Sequence, residues 1–224
     1  GKRFAVSSGF PEEKMRVIPN GIDTDFFQYS KEARLKVRSA WGLGVDNILV
    51  ALAARLDPMK DHTTFLRTAS DIARAHPSVH FVCVGSGSPS YVDILKQKAN
   101  DMGLCGRLIW AGARDDMPAV YSAVDIAVST SSSGEGFSNT VAEAMACGVP
   151  CVVTDVGDSA LIVGDAGYVV AVGDANALAA AIEKLVEMPA DERRILGEKG
   201  QERVRSEFSV DRLLQRTEQV LDLV

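Results

Sequence analysis

Apolar residues in this chain gather into short continuous runs, and between the runs apolar and polar positions recur at helical spacing. The runs fall at 48–53, 79–84, 107–110, 126–129, 150–154 and 168–170. Half-exposed antiparallel strands would alternate inside and outside along their length. Unbroken apolar runs of this length instead suit parallel strands covered by helices on both faces. The intervening segments 61–75, 90–101, 116–122 and 139–147 read as the helices of βα units. A further strand is expected earlier, within 15–19.

Beyond residue 173 the pattern becomes purely helical. Asp174 is placed to cap a helix whose Leu178, Ile182 and Leu185 share one face. Two more helices are expected at 190–206 and 209–223. The last carries Leu213, Leu214, Val220, Leu221 and Leu223, which either pack on this domain or belong against another. No internal repeat or low-complexity linker divides the chain. The fold class expected is therefore α/β: one Rossmann-like parallel sheet with helices on both faces over about 1–173, and a helical extension over 174–224.

Composition narrows the function classes. The chain has 224 residues, 46% hydrophobic and 24% charged, enough for a sizeable core. No run approaches the roughly 18 apolar residues of a membrane span, and no signal-peptide pattern opens the chain, so the expected location is cytoplasmic. A net charge of -6 excludes an extended nucleic-acid surface, which needs clustered cations. A local basic pocket is still compatible with it. Cys83, Cys105, Cys147 and Cys151 form no Cys-x-x-Cys pair and read as reduced thiols. His76 and His80 are separated by Pro77, which prevents them from sharing a helical face as metal ligands.

Three stretches carry candidate chemistry. The strongest is GEGFSNTVAEAMACGVP from Gly134 to Pro150. Glu135 lies between glycines in a loop after a strand, and Ser138 or Asn139 is placed to cap the helix containing Glu143. Unpaired amides near the helix start would favour a phosphate. Asn139 and Glu143 are one turn apart on the same helix face, so a carboxylate able to accept sugar hydroxyls lies just behind those amides. The second stretch, AARLDPMKDHTTF from Ala53 to Phe65, closes a strand with Arg55 and brings Lys60 to the next helix. Ligands bind at such strand C-termini, where Arg forks onto phosphate oxygens and Lys supplies a mobile charge. The third is VGSGS, whose Gly85 and Gly87 permit close backbone approach. Ser90 stands where a dinucleotide fingerprint would place its third glycine, so that fingerprint is broken.

Taken together, IPNGID at 18–23, ARLDPMKD at 54–61, VGSG at 84–87 and GEGFSN with its E-x7-E spacing resemble the GT4 family of retaining glycosyltransferases, also called glycosyl transferases group 1. The motifs run in family order from about residue 10 to 175. The resemblance implies the C-terminal, donor-binding domain of a GT-B enzyme that transfers a sugar from a nucleoside diphosphate to an acceptor hydroxyl. It implies that Arg55 and Lys60 neutralise the donor diphosphate, Glu143 binds the ribose and Glu135 holds the transferred sugar. Amides around Phe137, Ser138, Asn139 and Thr140 would meet sugar or phosphate oxygens, Gly85 and Gly87 would border the nucleotide, and the backbone near Arg114 would meet the base. Two departures stand out: Asp61 where Gly often follows the lysine, and Ser138 where Gly or Pro is common.

The resemblance further implies a UDP-, GDP- or ADP-sugar as donor, with no metal or other cofactor. It implies an N-terminal domain before IPNGID that binds a glycan or lipid-linked glycan acceptor, and that could bring the enzyme to the inner membrane face. A noncatalytic nucleotide-sugar-binding module and a GT-B nucleotide-sugar epimerase are the competing readings.

Overall fold

The computed structural model describes residues 2–222. Helix α1 spans Lys2–Ser7 and α2 spans Lys31–Ala40; a βα alternation follows. It runs β1 (Ile48–Ala53), α3 (His62–Ala75), β2 (Val79–Val84), α4 (Pro89–Asp101), β3 (Leu108–Gly112), α5 (Met117–Ala123) and β4 (Ile126–Ser129). Then come α6 (Asn139–Ala146), β5 (Cys151–Thr154), α7 (Ser159–Val163), β6 (Gly167–Val170), α8 (Ala175–Glu187), α9 (Ala190–Glu207) and α10 (Val210–Leu221). All six strands are parallel, in the order β3-β2-β1-β4-β5-β6.

The continuous apolar runs follow from this burial. Along β1, Leu49 and Ala51 face one layer of core, and Val50 and Leu52 face the other. Helices α3, α4 and α8 cover one face, and α2, α5, α6, α7 and α9 the other. Each fully buried Leu or Ile contributes about 1.5–3 kcal/mol relative to exposure, so polar residues have no place on either side of the central strands. The chain turns back between β3 and β4 to the far side of β1. The crevice above the C-termini of β1 and β4 is therefore a topological switch point, where open α/β sheets hold ligands.

The opposite, N-terminal end of the sheet is clamped by charge. Arg38, 3% exposed, donates to Asp125 Oδ2 at 3.0 Å and to the carbonyls of Ala123, Gly44 and Asn47. Asp125 also accepts from Arg34 at 2.7 Å and from the Leu49 amide at 2.8 Å. This satisfied network ties α2 to the start of β1 and β4. It explains why α2 escaped the hydrophobic pattern: its most buried position is an arginine. The signal available for it was the Ser30 cap, whose side chain accepts from Ala33 N.

One expected strand does not form. Residues 15–20 carry no regular structure, because Pro19 has no amide to donate and the following chain is held elsewhere. Ile22 donates to Phe208 O at 2.7 Å and accepts from Val210 N at 3.1 Å, which docks this segment on the C-terminal helices instead of on the sheet. Gly21 allows the approach, since a Cβ there would meet Val210 Cα at 2.8 Å. Helix α10, expected over 209–223, starts after the Ser209 cap and has no buried residue; Leu214 and Leu221 are exposed, while Leu223 lies outside the described residues. Among the described residues no helix is long and apolar enough to cross a membrane. All four cysteines are free thiols, and burial pushes the Cys147 thiol up to about 12.

Candidate functional site

Five loops meet above the strand C-termini, and the glycines determine how closely. At Gly85, φ is +143 and a Cβ would lie 1.9 Å from Ala54 O; at Gly87 it would lie 2.2 Å from Leu56 O. The loop after β2 therefore runs directly beside the Arg55 segment, with Ala54 N bonded to Val84 O and Leu56 N to Ser86 O. The close approach expected of these glycines is made to protein backbone. Gly157 presses the loop after β5 onto the carbonyls of Glu135 and Gly136 in the same way. Of the two glycines flanking Glu135, only Gly134 has positive φ.

Arg55 is exposed at the end of β1, and its guanidinium makes no hydrogen bond or ion pair with the described residues. A concavity of about 440 Å3 opens beside it, lined by Asp57, Ser86, Gly87, Ser88 and Tyr91. A larger concavity, about 640 Å3, lies between α3 and the start of α8. It receives none of the candidate site residues, so size alone does not mark the site.

Asp57 accepts from Met59 N at 2.9 Å and shapes the single turn Pro58–Lys60. Asp61 follows with φ of +43, the sole positive value among described non-glycine residues. Its side chain caps α3 by accepting from Thr64 N at 3.1 Å and from the Thr64 hydroxyl at 2.5 Å. That accounts for aspartate at a position suited to glycine: the cap offsets the left-handed strain.

Lys60 and Glu135, 75 residues apart in sequence, form an ion pair through Glu135 Oε1. The same oxygen accepts from Ser131 Oγ at 2.6 Å, and Oε2 accepts no hydrogen bond from the described residues. Below the pair lies a small hollow of about 10 Å3, bounded by Lys60, Ser131, Glu135 and Thr140. Ser131 and its neighbours Thr130 and Thr154, all nearly fully buried, were invisible as site residues in the sequence. Thr130 donates to Lys60 O at 2.7 Å, and Thr154 donates to Ser131 O at 2.7 Å.

Helix α6 starts at Ser138, which occupies the cap position but makes no side-chain cap hydrogen bond. The amides of Asn139, Thr140 and Val141 consequently have no hydrogen-bond partner among the described residues, the condition for an anion site at a helix start. Phe137 turns its ring onto Phe208, with centroids 5.5 Å apart, so its backbone is what it offers the crevice. Asn20 of the IPNGID segment donates to Asn139 Oδ1 at 3.0 Å and brings the N-terminal segment to the same helix end.

One turn into α6, Glu143 is half-buried and accepts from the Tyr121 hydroxyl at 3.1 Å through Oε2. Burial raises its carboxyl above the ordinary range, and the Tyr121 bond opposes that rise. Tyr121, 1% exposed, is a second contributor the sequence did not reveal. Arg114 stands in the loop after β3, where its guanidinium forks onto Asp116 at 2.7 and 2.6 Å.

No group of three His, Cys, Asp or Glu side chains suited to a metal occurs among the described residues. Asp23 and Asp25 have the spacing of an Asp-x-Asp metal triplet. Here Asp23 Oδ1 accepts from the amides of Asp25 and Phe26, an ordinary turn.

Comparison with known proteins agrees with the fold. The sequence model of the glycosyl transferases group 1 matches residues 47–188. A GDP-mannose-dependent alpha-(1-6)-phosphatidylinositol monomannoside mannosyltransferase of Mycolicibacterium smegmatis is 31% identical over 202 residues, 86% of this chain and 51% of that protein. A D-inositol 3-phosphate glycosyltransferase of Acidothermus cellulolyticus is 31% identical over 80% of this chain and 42% of its own length. The chain thus spans about half the length of the relatives it matches. Among solved structures, Anabaena HepE in complex with UDP and glucose superimposes with a TM-score of 0.90 at 26% identity, covering 100% of this chain and 61% of that one. The fold and the family model together assign this chain to the glycosyl transferases group 1.

Proposed function

We propose that this chain forms the donor-binding side of a retaining GT4-type glycosyltransferase, holding a UDP-, GDP- or ADP-sugar whose sugar passes to an acceptor hydroxyl. The observation that carries this reading is the meeting of Lys60 and Glu135 from the loops after β1 and β4, at the switch point of the sheet. A cation, a carboxylate and the unpartnered amides of α6 then face one crevice. Arg55, Lys60 and those amides hold the diphosphate. Glu143 accepts the ribose hydroxyls, Glu135 the hydroxyls of the transferred sugar, and the backbone near Arg114 faces the base.

The chemistry suits the parts. As the glycosidic bond stretches, positive charge develops on the sugar and negative charge on the departing diphosphate. Preoriented cations and amides stabilise that negative charge without reorganising, commonly the largest catalytic contribution. With these groups in place the reaction needs no metal. The names of relatives support a nucleotide-sugar donor: one is GDP-mannose-dependent, and HepE was solved with UDP and glucose. The acceptor, a glycan or lipid-linked glycan of a polysaccharide or glycoconjugate route, would bind the part of such proteins that this chain does not span. That part would also supply any contact with the cytoplasmic membrane face.

Calorimetric titration with UDP, GDP, ADP and the matching monophosphates tests the assignment. One diphosphate should bind more tightly than its monophosphate, because Lys60 and Arg55 meet the second phosphate. Equal affinity for the two would refute it.

A further inference from the structure

We propose that Ser131 is a positioning residue for the transferred sugar, acting through Glu135. The proposal rests on the donor-site reading above and deepens it. Ser131 Oγ and Lys60 both engage Oε1 of Glu135, which leaves Oε2 with no protein partner among the described residues. A carboxylate held through one oxygen is fixed in rotation and presents the other oxygen in a set direction. The Glu135 side chain is 9% exposed, yet Oε2 is not among the buried unsatisfied atoms. It therefore reaches the crevice.

Ser131 is itself held by the fold. It is 2% exposed; its carbonyl accepts from Thr154 at the end of β5, and the next amide, Ser132 N, donates to Met59 O at 2.8 Å in the Lys60 turn. The backbone that carries the hydroxyl is thus fastened to the end of β5 and to the Lys60 turn, which is how supporting hydrogen bonds hold a binding group in register.

The arrangement also links the two halves of the donor. A diphosphate that draws Lys60 away from Oε1 leaves Ser131 as the group that keeps Glu135 in place for the sugar. Ser131 should therefore matter for the nucleotide-sugar and hardly at all for the bare diphosphate. That separation distinguishes positioning from simple support of the fold.

The test compares wild type, Ser131→Ala and Ser131→Thr in this chain by titration with the nucleoside diphosphate and with its sugar conjugate. Melting temperatures are measured alongside. The expected result for Ser131→Ala is about a tenfold loss of affinity for the nucleotide-sugar, with diphosphate affinity within about twofold of wild type. Ser131→Thr, which keeps the hydroxyl, should recover most of the loss. Equal losses for both ligands, or no loss for either, overturn the proposal. A wild-type chain that binds neither ligand refutes the donor-site reading itself, a failure visible before any variant is compared.

Discussion

His62, two residues after Lys60, is fully buried at the head of the core face of α3, and neither ring nitrogen has a hydrogen-bond partner among the described residues. Burial lowers its pKa from 6.5 to about 4, outweighing the opposing pull of Asp61 and Asp57. Between these values the unfolded chain binds a proton that the folded chain refuses. Stability is therefore fully present above pH 6.5 and declines as pH falls toward 4. At 1.36 kcal/mol per pH unit the whole window is worth about 3 kcal/mol, and about 2 kcal/mol of it falls between pH 7 and pH 5. Carboxylates such as Asp116, whose pKa is lowered by Arg114, add to the acid loss, so wild type alone cannot isolate the imidazole. His62→Leu removes the titrating group and leaves the carboxylates. Urea denaturation of both proteins across pH 5–7 should show the variant gaining about 2 kcal/mol on wild type as pH falls. Parallel stability curves, within about 0.5 kcal/mol, would show that the ring is protonated or paired in the folded state and would refute the reasoning.

Arg55→Ala should leave thermal stability unchanged, because its guanidinium touches no described residue. It should weaken nucleoside diphosphate binding roughly 10- to 100-fold by calorimetry, the worth of a charge-assisted hydrogen bond. Glu143→Gln preserves an acceptor for Tyr121; it should weaken a ribonucleotide about tenfold while hardly affecting its 2′,3′-dideoxy analogue, and equal losses would make Glu143 structural. The ribose preference of wild type should fade on acidification, since the Glu143 carboxyl is raised by burial and protonates before an exposed glutamate. Gly85→Ala should cost about 3 kcal/mol in urea denaturation, from a Cβ driven into Ala54 O together with backbone strain.

How much was legible depended on whether the signal was local. Strands β1, β2 and β4 were readable to the residue, and β3, β5 and β6 to within two, because a parallel strand buried on both faces must be apolar throughout. The Asp174 cap announced its helix by composition, and its side chain accepts the amide of Ala177. The glycines at 85, 87 and 134 and the paired glutamates marked loops that meet above the strand C-termini. The segment at 15–19 misled, because a short apolar run resembles a strand whether or not a sheet edge receives it.

What only the tertiary structure decided was which distant loops adjoin. No spacing along the chain indicates that β4 returns beside β1, and that order alone brings Lys60 to Glu135. Ser131, Thr154 and Tyr121 carry no sequence signal, since a serine or tyrosine near a strand end is commonplace; they matter only through the oxygen each reaches in the folded protein. His62 likewise reads as a polar helix start, and it becomes a buried neutral imidazole once α3 lies on the sheet. Periodicity reports the face a residue presents to its own element, whereas partners are set by strand order and loop contact.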